Sequence, residues 1–369
     1  MSSVPGAIVT ATSIEVLFDE IVSLSRAYAR SYRENLPELL QMRADSPYRA
    51  VVVAICMDER CCSFSHDTGG LPGYYDFMRT KGARLELSNH QVSDSIHDIF
   101  RRKSHQPVLM IFTVHFSDSD FACGCAGWNS NTSAAYEHQH RVAEAFRRSY
   151  PGAIHTVVLG IDTDTGSLVL DCSDHRLSVA DIADEISVET SVEELMGQLT
   201  LSLEEIAAEE ICAVGDFRFD FRTEIKRMFS ANARFVYEQM YLDTARPILR
   251  RVDHSATRLY AGSGFEFISE PGEAVHVGLH SSTFIADVAL GIEKIIIPGA
   301  ARSNQPAILV VNREYDPKLP GELDQARDWV HAVIEDIACL FKSEIDSGEL
   351  RMMESVSTLV EGMIPVITY

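Results

Sequence analysis

The sequence predicts an α/β protein: a mostly parallel β-sheet flanked by helices, with a helical N-terminal lead-in and a second, degenerate related α/β domain. Three observations predict it. Short, nearly unbroken apolar runs at 51–56, 108–114 and 154–161 read as strands buried on both faces, the pattern of parallel sheets. Between the second and third runs, 134–150 is charged and helical in pattern and is stopped by Pro151-Gly152, so that strand, helix and strand follow at βαβ spacing. The length of 369 residues exceeds one compact core and suits two domains of ordinary size.

Taken in order, residues 1–12 read as a loose tail, and Thr12-Ser13-Ile14-Glu15 has the spacing of a capping box that starts a helix. Ile14, Leu17, Ile21, Leu24 and Tyr28 recur at helical spacing and place that helix on a core. After the three strands, 192–212 and 217–252 read as helices interrupted by Val214-Gly215-Asp216, followed by an apolar run at 307–311 and a long helix over 323–345. Gln106-Pro107 and Gln305-Pro306 each introduce an apolar run of similar character. Either these are equivalent strands of two related halves, or two buried strands share a dipeptide by chance. The expected organisation is a helical segment over 1–45, a catalytic domain over 46–265 and a degenerate domain without metal over 266–369.

The formal charge of −22 argues against a nucleic-acid or anionic-membrane binder, since both need a basic face to neutralise phosphates. A neutral or weakly anionic small substrate remains compatible. No stretch has the length of apolar residues that a membrane helix needs, and the first residues do not read as a signal peptide. A cytoplasmic protein is therefore expected, in which its eight cysteines point to metal binding or reactivity rather than to disulfides.

The chemistry gathers at strand ends. The first strand closes on Cys56-Met57-Asp58-Glu59-Arg60, and if the chain stays extended, alternation puts Cys56, Asp58 and Arg60 on one side. The second closes on Val114-His115, with Ala122-Cys123-Gly124-Cys125 shortly after. In open parallel sheets ligands collect beyond the carboxyl ends of strands. Two thiolates and an imidazole suit Zn2+, and three protein ligands leave a fourth tetrahedral position for water. Zinc brings the pKa of bound water towards neutrality, but two thiolates weaken that effect. Asp58, oriented by Arg60, could accept a hydrogen bond from the reacting water. Cys123 and Cys125 compete for the remaining ligand position, because two residues separate little in space.

Cys-x-Asp-x-Arg ending one strand, a histidine ending the next and a Cys-Gly pair soon after resemble the β-carbonic anhydrases. Seven residues separate His115 from Cys123, more than the two of common members, which looks more like the divergent carboxysome shell carbonic anhydrases. Gly160-Ile161-Asp162-Thr163-Asp164-Thr165 and the region from Glu314-Tyr315-Asp316 are also similar to theirs. The Cys-Gly order favours Cys123, so the resemblance implies Cys56, His115 and Cys123 as zinc ligands, with Asp58 and Arg60 as catalytic residues. It implies reversible hydration of CO2 to bicarbonate by a homodimer or larger homo-oligomer. Carboxysome or Rubisco association stays open, because only about fifty residues precede the catalytic part.

Each residue also has a plainer reading. Cys56 alone could be a buried thiol, His115 a hydrogen-bonded core histidine, and Asp58 with Arg60 an ordinary ion pair. Cys61 and Cys62 read as packing residues, and Asp162 and Asp164 as a strand-end turn. His66, His90, His138 and His140 are candidate proton shuttles. A phosphatase-type cysteine enzyme would want an arginine six positions after Cys56, where Cys62 stands. A non-catalytic subunit of an inorganic-carbon uptake complex, or a hydrolase of carbonyl sulfide or carbon disulfide, is the alternative on the same scaffold.

Overall fold

The apolar runs become the central strands of two sheets. The computed structural model describes residues 14–88, 90–102, 107–171, 176–185, 194, 197–198, 220–239, 256–268, 274–278 and 284–368. The first sheet contains β1 (Ala50–Cys56), β2 (Tyr75–Thr80), β3 (Val108–Phe116), β4 (Ile154–Asp162), β5 (Ser167–Asp171) and β6 (Arg176–Ser178), in the order β2-β1-β3-β4-β5-β6. The second contains β7 (Arg258–Gly262), β8 (Ala274–Val277), β9 (Ala307–Glu314), β10 (Leu350–Thr358) and β11 (Gly362–Thr368), in the order β11-β10-β9-β7-β8. Both sheets are mostly parallel and flanked by helices, as the α/β class predicts.

The two sheets repeat one plan. In each, the first strand lies between the second and third (β2-β1-β3 and β8-β7-β9), a fourth parallel strand follows, and the next strand turns back antiparallel. Register aligns them residue by residue. Val51 faces Leu109 and Arg258 faces Ile308, and Leu109 and Ile308 each stand third after the glutamine of their Gln-Pro pair. Cys56 then corresponds to Ser263, and His115 to Glu314. The related-halves reading of the two Gln-Pro runs accounts for this better than chance does.

The sheets meet edge to edge, where Gly278 N–H donates to the Arg79 carbonyl at 2.7 Å and His276 N–H to the Met57 carbonyl at 3.1 Å. β2 and β8 thus cover each other's exposed ladder groups. Ile55, Leu109 and Leu159 of the first sheet share a core with Leu259, Leu309 and Ile337 of the second half.

The first helix, Ile14–Glu34, packs against the second sheet rather than the first. Phe18 and Ile21 contact the cluster of Tyr260, Ile308, Met353 and Met363, and Ser25 Oγ accepts from the Met363 N–H at 3.0 Å. Its buried line is Phe18, Ile21, Val22, Ser25 and Ala29, so of the expected stripe Ile21 is central while Leu24 is exposed. The helix expected over 134–150 spans Thr132–Ser149, capped by Asn131 Oδ1 on the Ala134 N–H. The one expected over 323–345 is two, Glu322–Leu340 and Lys342–Ser347, divided at Phe341. Of the stretch 217–252 the structure describes a helix over Asp220–Tyr237. Thr12 and Ser13 of the capping box and all but three residues of 192–212 lie outside the described residues.

Candidate metal centre

In the first sheet the chain leaves β1 towards β2 on one side and β3 towards β4 on the other. The carboxyl ends of β1 and β3 therefore flank a point where the connections diverge, the usual place for a crevice in an open α/β sheet. Cys56 ends β1 and His115 is the penultimate residue of β3. Cys125 reaches the same point from the loop after β3, where it precedes the short turn Ala126–Trp128. One ligand atom from each of Cys56, His115 and Cys125 lies within 4.8 Å of the others, and all three residues are buried. The two sulfurs are 3.9 Å apart.

Cys123, the expected third ligand, is not in this group. It ends the turn Phe121–Cys123, where its thiol donates to Asp120 Oδ2 at 3.4 Å, and its carbonyl accepts from Arg60 Nη1 at 2.6 Å. The Cys-Gly order favours Cys123, whereas the geometry brings Cys125 to this point. Gly127 lets the turn after Cys125 rest on the neighbouring turn, since a Cβ there would lie 2.7 Å from the Gly82 Cα.

Asp58 and Arg60 stand beside the cluster but not through alternation along an extended chain. β1 stops at Cys56, and Asp58 caps the turn Glu59–Cys61, accepting from the Arg60 N–H at 3.0 Å. The Arg60 guanidinium grips both carboxylate oxygens, Nε to Oδ1 at 2.9 Å and Nη2 to Oδ2 at 3.0 Å. Its Nη1 also donates to Thr163 Oγ1, joining the end of β1 to the end of β4. Asp58 Oδ2 lies 3.9 Å from His115 Nε2.

The electrostatics follow from this crowding. Burial raises the Asp58 carboxyl, but His115 and Arg60 together hold it well below the usual carboxylate range. Burial opposes a charged Arg60, yet Asp58 raises its pKa further. The contact with Cys125 holds Cys56 well below the usual thiol range against the effect of burial, and drives Cys125 upward. Burial lowers His115, but the Cys56 and Asp58 charges raise it overall.

The donor set fits a metal. Both ring nitrogens of His115 are buried without a hydrogen-bond partner, which costs free energy unless a cation or other group engages one of them. With two thiolates and an imidazole, borderline-soft Zn2+ matches the site. Cys61 and Cys62 pack in the core, with the Cys62 thiol donating to the Ala274 carbonyl.

Of the candidate shuttles, His66 is exposed and beside Asp67, His138 lies on Trp128, and His140 stacks on Tyr136. The His90 side chain lies outside the described residues. Asp162 and Asp164 are engaged in turn hydrogen bonds, Asp162 with Thr165 and Asp164 with Ser117. No described helix is long and apolar enough to cross a membrane.

No family model matches the chain. It is similar to the carboxysome shell carbonic anhydrase of Prochlorococcus marinus subsp. pastoris (strain CCMP1986 / NIES-2087 / MED4), with 23% identity over 262 residues. The match covers 66% of this chain and 49% of the relative, so the chain spans about half the length of that protein. This is a distant, carbonic-anhydrase-like relationship.

Proposed function

We propose that the chain is a zinc-dependent carbonic anhydrase of the β type, which interconverts CO2 and bicarbonate. The observation that carries the reading is the convergence of Cys56, His115 and Cys125 at the carboxyl ends of β1 and β3, beside the Asp58–Arg60 pair. Those three residues would hold the metal, leaving one tetrahedral position open. Zinc, when bound, supplies a Lewis acid that makes water nucleophilic at neutral pH.

Asp58 serves that chemistry as a fixed hydrogen-bond acceptor. Arg60 engages both of its oxygens and keeps it ionised, so it orients a reacting water and is poorly suited to carry the proton away. Proton export falls to a group titrating near neutrality, and the candidate histidines remain to be ranked by substitution.

The test is metal analysis with stopped-flow CO2 hydration on the purified chain and on Asp58→Asn. The parent should carry one zinc and hydrate CO2, and Asp58→Asn should keep zinc while losing about 100-fold in rate. A parent that binds zinc without hydrating CO2 overturns the enzyme reading in favour of a non-catalytic inorganic-carbon subunit. Turnover of carbonyl sulfide or carbon disulfide in place of CO2 would reassign the substrate.

A further inference from the structure

The Cys56 sulfur has a partner from outside its own strand: the Gly82 N–H, at 3.3 Å. Gly82 sits in the turn Lys81–Ala83 after β2, in a left-handed conformation with φ +68°. Two side chains from the far side of the site hold it there. Trp128 Nε1–H donates to the Gly82 carbonyl at 2.9 Å, and Gln139 Nε2–H donates to the carbonyls of Gly82 and Ala83 at 3.3 and 3.0 Å. Trp128 is itself pinned, with the Arg84 guanidinium 3.9 Å from its ring centre and Arg84 Nη2 donating to the Gly127 carbonyl.

Two features mark Gln139 as placed for its donors. It is fully buried, and its Oε1 has no hydrogen-bond partner, a cost tolerated where Nε2 serves two carbonyls. Its amide orientation is unambiguous, because only the NH2 group can face two acceptors. The fit between the two turns is also tight. A Cβ on Gly127 would lie 2.7 Å from Gly82 Cα and 2.8 Å from its nitrogen, so the turn after Cys125 rests directly on the peptide that serves Cys56.

We infer that Trp128 and Gln139 are positioning residues that clamp Gly82 so that its N–H hydrogen-bonds the Cys56 sulfur, coupling the loop that carries Cys125 to the Cys56 ligand at the end of β1. This rests on the metal reading above. A hydrogen bond to a thiolate draws charge from sulfur, and so offsets part of the neutralisation that two thiolates impose on zinc. Partners of ligands in this position typically tune metal affinity by 10- to 100-fold.

The test uses the full chain with Co2+ in place of zinc, and the variants Trp128→Phe and Gln139→Leu. Phenylalanine keeps a ring against Arg84 and His138 while removing the indole N–H, and leucine keeps volume while removing the amide. In both, the sulfur-to-cobalt charge-transfer band should move to lower energy. Zinc affinity by chelator competition should fall about 10-fold or more, and amide exchange at Gly82 should accelerate. Folded variants with the parent's band, affinity and Gly82 exchange would overturn the clamp while leaving the metal reading intact. A parent that takes up neither metal would overturn that reading. Gly82 exchange then decides the clamp alone: acceleration in the variants supports it, and no change overturns it.

Discussion

The ends of β1 and β3 and the ends of β7 and β9 occupy the same position in one repeated plan, yet among the described residues only the first pair gathers metal-binding groups. Where the first half has Cys56 and His115, the second has Ser263 and Glu314, and these two are occupied with each other: Glu314 N–H donates to Ser263 Oγ at 2.9 Å. Asn312 closes the gap further, donating to the Ser263 carbonyl and to Ser357 Oγ at 2.6 and 2.7 Å. A crevice at a point of diverging connections is thus permissive rather than sufficient. Two thiols and an imidazole brought within reach of one another make the first half a candidate site, and local backbone and hydroxyl hydrogen bonds make the second a structural joint.

The largest expected effect separates the halves physically. A fragment ending at residue 255 keeps every candidate ligand but loses the whole second sheet. It would expose β2 at the seam, the shared core around Leu259 and Leu309, and the apolar face of the first helix. It should be insoluble or fail to show a cooperative unfolding transition. A soluble fragment with the parent's metal content and activity would show that the second half is an appendage, and the comparison would lose its point.

Ligand choice comes next. Cys125→Ala should abolish stoichiometric zinc, while Cys123→Ala should retain it, because the Cys123 thiol is turned to Asp120. Metal analysis showing the reverse would restore Cys123 as the ligand.

This pair also shows where the sequence was and was not legible. β1, β3, β4 and β9 were visible because strands buried on both faces leave unbroken apolar runs. β10 was not, because Glu354, Ser355 and Ser357 break its apolar run, although all three are buried; Glu354 accepts from His331, and Ser355 bonds Asn312. β2 carries Asp76 and Arg79 at the seam, and β8 has only four residues, so neither shows a usable period. Cys56, His115, Asp58 and Arg60 were legible as a group because the neighbouring parallel strands β1 and β3 end on Cys56 and beside His115, with Asp58 and Arg60 in the turn that follows β1. Cys123 against Cys125 was not, since the choice depends on how two turns rest on each other rather than on spacing.

A smaller effect concerns His276, whose counterpart in the first half is Phe77 by the same register. Burial, with Arg79 nearby, holds the His276 imidazole well below its usual pKa, and its Nε2 is buried without a partner. The unfolded chain takes up a proton at this residue below about pH 6.5, whereas the folded chain resists it. His276 therefore supports stability above that pH and withdraws it as pH falls, by up to ~1.4 kcal/mol per pH unit. Urea unfolding between pH 7.5 and 5.5 should show a shallower pH dependence in His276→Phe than in the parent. An unchanged slope would mean that this difference between the halves carries no electrostatic cost.

The smallest expected effect is none at all. Ser263→Cys with Glu314→His writes two ligand types of the first half into the second, but the turn corresponding to the one that carries Cys125 supplies no third: no cysteine lies between residues 315 and 338. Zinc should remain at one per chain by metal analysis. A second equivalent would show that the second crevice keeps more of the site's geometry than its present residues reveal.

The contact of the first helix with the last strand sets a clock on biosynthesis. Ser25 and Met363 meet across 338 residues of chain. At ordinary rates of translation the helix is made about 20 to 70 s before β11 exists to receive it. Until then the apolar line of Phe18 and Ile21 lacks part of its final cover, Met363 and the strand that carries it, and the nascent chain presents an incompletely buried helix to whatever surrounds the ribosome. Synthesis of β11, rather than collapse of the first sheet, is then the step after which the second sheet can be completed, and so the step before which chaperone dependence should concentrate.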